Sequence, residues 1–378
     1  MKNKRSCWSR SLLFVCMCSV SLAGWVFLGA DRWKGLNGAP WPAEARGSRR
    51  VESAVKVKGI RTIKLDAPSY ATVLAWSSDS QRLAVGGGLD PRVSVWDVRT
   101  GRRMPGPGDQ NGGTQALAYS PDGLFLAVAR AGVRFREDAA GPTGPQRYVV
   151  SLWDARSSAW VQNLVDETQE IETFGVTSIT FSPDSRHFAV NYSGGLAFYV
   201  KGEGGWRRAG ALAPSASQLA FSPDGARLVG TTGRELLVYD VSNARVLARW
   251  PALRTGIEMG FRTLAYSPNG SQIAVGEGVR LGFFDPSTGV LGKVLEPAPP
   301  YSVKGLSYAP NSVYLAIGVA SAAHLVNAAT FATVVVLTEH QGGIERLAVS
   351  PDGTKLAAVG GPTITIWELS GLERAASE

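Results

Sequence analysis

Seven times along this chain an apolar stretch runs into Ser-x-Asp, or a close relative, and out into a second apolar stretch. The copies read LAWSSDSQRLAV, LAYSPDGLFLAV, ITFSPDSRHFAV, LAFSPDGARLVG, LAYSPNGSQIAV, LSYAPNSVYLAI and LAVSPDGTKLAA. Their acidic or amide position falls at Asp79, Asp122, Asp184, Asp224, Asn269, Asn311 and Asp352, at spacings of 43, 62, 40, 45, 42 and 41 residues. Pro-Asp-Gly between two alternating apolar runs is tight-turn chemistry: Pro pre-sets one φ and Gly accepts a positive one. Each copy is therefore a β-hairpin that cannot bury its apolar surface alone, and regular repetition makes the copies stack.

A third strand closes each unit with an aromatic and usually an acid. Fifteen residues after the turn position stand Tyr199, Tyr239-Asp240, Phe284-Asp285, Val326-Asn327 and Trp367-Glu368. Trp96-Asp97 follows its turn by seventeen residues and Trp153-Asp154 by thirty-one. In these residues the chain, over about 58–370, resembles the WD40 repeat family, whose repeats end in Trp-Asp. The resemblance implies a seven-bladed β-propeller of four-stranded antiparallel blades, with the d–a and b–c loops on one face. The chain departs from the pattern in several places. The Gly-His dipeptide is replaced at its nearest match by Glu339-His340. Asp90 holds the b–c turn position without the supporting Ser and His, so the family's polar tetrad is incomplete throughout. The alternating segment Ile60–Leu65 is expected to supply the outer strand of the last blade, removing the exposed edge.

Ahead of the repeats, residues 1–10 form a basic stretch, and 11–30 (SLLFVCMCSVSLAGWVFLGA) carry no charge. As a helix, twenty residues span about 30 Å, the thickness of a bilayer core. Lys2, Lys4, Arg5 and Arg10 before it predict a cytoplasmic N-terminus and a translocated remainder. The alternatives are an uncleaved anchor, giving a single-pass membrane protein, or a signal peptide cut near Ala30, giving a secreted or periplasmic one. Residues 31–57 read as a linker and 371–378 as a tail.

The net charge of +8 belongs to this leader. Residues 1–62 hold twelve Lys/Arg against Asp31, Glu44 and Glu52, leaving 27 Lys/Arg and 28 Asp/Glu for 63–378. A near-neutral repeat region argues against nucleic acid as partner. All three cysteines (Cys7, Cys16, Cys18) also lie in the leader, which excludes disulfides and thiolate metal sites from the repeats.

Catalytic signatures are missing. His187, His324 and His340 are scattered over three units, and no HExxH, Gly-x-Ser-x-Gly or P-loop occurs. Gly86–Gly88 and Gly194-Gly195 join strands and so read as turns, and the repeated Ser-x-Asp is turn chemistry. No catalytic, cofactor or metal residue is assigned. The inner strands are mostly Leu, Ala, Ile and Ser, with little convergent charge.

The irregular second unit is more informative. Its spacings leave about fourteen extra residues in the b–c loop, 131–147, and about five in the next d–a loop. The first loop carries Arg134, Phe135, Arg136, Glu137 and Asp138, with Arg130 and Arg147 at its ends. The second carries Asp166, Glu167, Glu170 and Glu172. Loops on a rigid scaffold carry function, so these opposite charges form a candidate partner-binding patch. The resulting expectation is an all-β propeller preceded by one hydrophobic helix. It would serve as a non-catalytic protein-interaction scaffold, anchored in a membrane or secreted. The alternative is an enzyme or ligand-binding propeller using the central channel.

Overall fold

The computed structural model describes residues 55–65, 70–87, 90–107, 113–130, 149–164, 175–192, 194–251, 261–296 and 301–371. These belong to one compact unit, 45–378. They form 28 strands in seven four-stranded antiparallel sheets. After β1 (Lys56–Lys64), blade one is β2 (Val73–Trp76), β3 (Arg82–Gly87), β4 (Asp90–Asp97) and β5 (Arg103–Met104). Blade two is β6 (Thr114–Tyr119), β7 (Phe125–Arg130), β8 (Val149–Asp154) and β9 (Trp160–Leu164). Blade three is β10 (Val176–Phe181), β11 (His187–Tyr192), β12 (Gly195–Gly202) and β13 (Gly205–Ala213). Blade four is β14 (Leu219–Phe221), β15 (Arg227–Thr231), β16 (Glu235–Asp240) and β17 (Arg245–Pro251). Blade five is β18 (Phe261–Tyr266), β19 (Ile273–Glu277), β20 (Arg280–Phe284) and β21 (Leu291–Leu295). Blade six is β22 (Val303–Tyr308), β23 (Tyr314–Val319), β24 (Ala322–Asn327) and β25 (Thr333–Leu337). Blade seven is β26 (Arg346–Val349), β27 (Lys355–Gly360) and β28 (Thr363–Ser370), completed by β1.

The first strand of each blade touches that of the next, and β26 touches β2, so these seven strands surround the axis. The ring closes through its first and last strands. β1 pairs antiparallel with β28, Ile60 opposite Trp367 and Ile63 opposite Ile364. The strand expected over Ile60–Leu65 thus begins at Lys56, two residues inside the stretch read as linker. Trp76 Nε1 donates to the Ala348 carbonyl at 2.9 Å across the same seam.

Every blade face is covered by a neighbour, so the second strands are buried on both sides and read as near-continuous apolar runs. All six residues of YLAIGV in β23 are buried. Alternation survives at the rim, as in β17. The closing aromatics have a fixed partner in register: Leu83 faces Trp96, Leu126 Trp153, Phe188 Tyr199, Leu228 Tyr239, Ile273 Phe284 and Leu356 Trp367. Val326, opposite Leu315, takes the place in blade six. Burying one such side chain contributes roughly 1.5–3 kcal/mol.

The Ser-x-Asp hairpins are built alike. Ser182 Oγ donates to Asp184 Oδ1 at 2.5 Å and accepts the His187 N–H at 2.9 Å, while Asp184 Oδ1 accepts the Arg186 N–H at 3.0 Å. The same set recurs at Ser77/Asp79, Ser120/Asp122, Ser222/Asp224 and Ser350/Asp352. The residue after each Asp or Asn has φ between 57° and 74°, the left-handed region; four are Gly and three are Ser. Each serine there has a second use. Ser80, Ser185 and Ser312 accept through Oγ the backbone N–H of Asp352, Asp122 and Asn269 in the preceding blade. A strained turn is thereby made into an interblade clamp.

Candidate functional site

Antiparallel connectivity puts the Ser-x-Asp turns and the third-to-fourth-strand turns on one face, the other connections on the opposite face. On the first, the turn face, carboxylates are consumed locally. Asp285 accepts from the Ser287 hydroxyl at 2.6 Å and from the Thr288 and Ser287 N–H groups, which hold it at about 2. The Thr100 hydroxyl and N–H likewise lower Asp97. At Asp79, burial raises the carboxyl, but Ser77, the Gln81 N–H and Arg82 together outweigh it and lower it.

The loop face differs. Seven residues before each turn Asp or Asn, at the head of the inner strands, stand Thr72, Gln115, Thr177, Ser217, Arg262, Lys304 and Glu345. Gln115, Thr177, Arg262 and Lys304 are the extra residues of β-bulges in blades two, three, five and six. In blades one, four and seven the N–H of Thr72, Ser217 and Glu345 donates to the carbonyl of Gly86, Thr231 and Val359. Bulges re-aim side chains at rims and next to sites. Here one polar residue per blade stands at the loop-face head of the inner strand, four of them at bulges.

The charged members fall on blades five to seven. Lys304 Nζ pairs with Glu345 Oε1 at 2.5 Å, and Arg346 Nη1 donates to the Glu345 carbonyl at 2.9 Å. Burial lowers the Arg346 guanidinium, opposed by Glu345. Blades one to four contribute neutral groups. Buried Asn191 donates to Thr177 Oγ1 at 2.6 Å and accepts the Ala216 N–H at 2.8 Å, joining blades three and four. Gln115 Oε1 is buried with no hydrogen-bond partner. Tyr70 and Tyr301, 61% and 56% exposed, stand on connections of the same face.

This ring adds polar residues to inner strands whose sequence shows little convergent charge. The inner strands proper are apolar, but the residue ahead of each apolar run is polar in all seven blades. Aligning the repeats one column further toward the N-terminus exposes that signal. Arg134, Phe135, Arg136, Glu137, Asp166, Glu167, Glu170 and Glu172 lie outside the described residues, as does 11–30. Arg130, read as a loop charge, is instead the last residue of β7 and is buried.

His340 is 4% exposed, its Nδ1 2.9 Å from Thr365 Oγ1, while Trp367 Nε1 donates to Glu339 Oε2 at 2.8 Å. Burial lowers both His340 and His324. Blade two keeps another fragment of a tetrad, Trp153 Nε1 donating to Ser151 Oγ at 2.8 Å. In blade one Ser94 holds the equivalent place two residues before Trp96, yet Trp96 Nε1 is buried with no hydrogen-bond partner. Among the described residues no group of three His, Cys, Asp or Glu could hold a metal ion, and no helix is long and apolar enough to cross a membrane.

Seven four-stranded sheets around an axis, each built on the same hairpin and closed by the first strand, define a repeat β-propeller. A sequence model of the WD40 family (WD domain, G-beta repeat) matches residues 60–97 and 331–368. With the seven blades, these two matches support a WD40 repeat family. Each match spans the fourth strand of one blade and the first three of the next, so the sequence repeat straddles two sheets. No curated protein matches the chain. WD40 propellers are commonly protein-interaction scaffolds.

Proposed function

We propose that this chain is a non-catalytic scaffold that binds protein partners through its loop face, on the extracytoplasmic side of a membrane or as a secreted domain. The observation that carries the reading is the polar ring at the channel mouth. It stands on rigid inner strands, is flanked by exposed Tyr70 and Tyr301, and repeats no turn chemistry. Aromatic anchors beside fixed polar groups are what protein interfaces use. The charged inserts, with Arg134, Phe135 and Arg136 in one and Asp166, Glu167, Glu170 and Glu172 in the other, follow β7 and β9 in the sequence. The apolar run 11–30 with its cationic flank supports a membrane anchor with the N-terminus cytoplasmic; cleavage near Ala30 is the alternative.

The test is capture of partners by the full-length protein, compared with Thr177→Val/Lys304→Ala/Tyr301→Ala and with Phe135→Ala/Arg136→Ala. Loss of the same captured protein from either variant, with an unchanged melting curve, supports the reading; undiminished capture by both overturns it. Intact mass of membrane and soluble fractions decides between anchor and cleaved leader. A second reading, a small-ligand site in the channel, is favoured by the unpartnered Gln115 Oε1. Thermal stabilisation by a small-molecule panel that Gln115→Leu abolishes would select it.

A further inference from the structure

Five cations of this propeller pair with carboxylates. Lys201 pairs with Asp122, Arg249 with Glu235, Arg280 with Glu296, Lys304 with Glu345 and Lys355 with Asp352. The corner where blade seven meets blade one instead gathers exposed cations. Lys56 and Lys58 on β1 are exposed, as are Arg99, Arg102 and Arg103 around the turn between β4 and β5. Arg61 ties the two elements together, donating to the carbonyls of Arg99 at 2.9 Å and Thr100 at 3.2 Å. Among the described residues none of these six forms an ion pair with a carboxylate. Asp97, the nearest acid in sequence to the turn, accepts from Thr100 and feels Arg99 without an ion pair to it.

Two exposed apolar side chains, Val57 and Ile60, interleave with the lysines on β1. Unpaired cations alone fit any polyanion. Cations mixed with exposed aliphatic groups fit a bilayer interface, where charge meets headgroup phosphate and the apolar groups enter the acyl boundary. The same strand is where the chain enters the propeller from the linker. We propose that this corner docks on anionic phospholipid headgroups, holding the propeller by its rim and leaving the loop face free for partners. The proposal rests on the reading of 11–30 as a membrane segment.

The experiment is lysine acylation, mapped by mass spectrometry, on the full-length chain. Vesicles are phosphatidylcholine alone, or with about a third phosphatidylglycerol. Exposed Lys293 on blade five is the internal control. The expected result is labelling of Lys56 and Lys58 reduced about fivefold or more on anionic vesicles only. Labelling should return as salt rises from about 0.1 M to about 0.5 M, because the screening length shortens. Arg99→Glu/Arg102→Glu/Arg103→Glu should abolish the protection without changing the melt. Equal labelling on both vesicle types while the protein sediments with both overturns the docking and leaves the anchor intact. A chain that stays soluble with neutral vesicles yet is protected on anionic ones overturns the anchor and supports the docking. Stronger protection by a duplex oligonucleotide than by anionic vesicles overturns the assignment to lipid.

Discussion

The two faces of the propeller use the same kinds of residue to opposite ends. On the turn face, Ser and Asp of each hairpin bond to each other and to backbone within a few residues, and only the added clamps reach the preceding blade. At the loop-face mouth, Thr177 and Lys304 reach partners 14 and 41 positions away, and Gln115 Oε1 has no partner. Local satisfaction makes a part; unsatisfied polarity on a rigid rim makes a surface that gains by binding.

The comparison is broken most severely at Gly360, which ends β27 on the loop face. A Cβ there would run into the Gly343 carbonyl, so Gly360→Ala should cost at least about 3 kcal/mol by urea unfolding. Next is Ser182→Ala on the turn face, which strips a buried hydroxyl from the His187 N–H and from Asp184. It should cost about 1–3 kcal/mol while partner capture is unchanged. Acid should act on the turn face in particular. A carboxyl held below its unfolded value stabilises the fold above that value and loses the contribution as pH falls through its folded one. For Asp285 that window runs from about 4 down to about 2, and circular dichroism should show Asp285→Asn flattening the loss there. The smallest effect is expected for Ser185→Gly. It relieves a positive φ but removes the clamp on the Asp122 N–H, so stability should shift by less than about 0.5 kcal/mol. A large change in either direction would show that clamp and strain do not offset.

Legibility follows the same division. The hairpins, their count and the closure by β1 could be read because a turn is decided by three or four neighbouring residues, and seven copies repeat the message. The extra alternation expected of the hairpins was not found in strands such as β23, because burial on both faces depends on neighbouring blades. The mouth ring was missed for a related reason. Thr72, Gln115, Thr177, Ser217, Arg262, Lys304 and Glu345 share no residue type, and only their common place before the apolar run unites them. The clamps of Ser80, Ser185 and Ser312 were equally hidden, since each joins residues at least 43 positions apart.

The sequence by itself therefore determined the repeat: which residues turn, which are apolar, and how many hairpins there are. These are local choices of φ and of hydrophobic pattern. The tertiary structure alone decided which polar residues meet around the mouth, which serines bridge blades, and which cations gather at the seam. Those depend on closing the ring, which brings β1 against β28 and places residues from opposite ends of the propeller side by side.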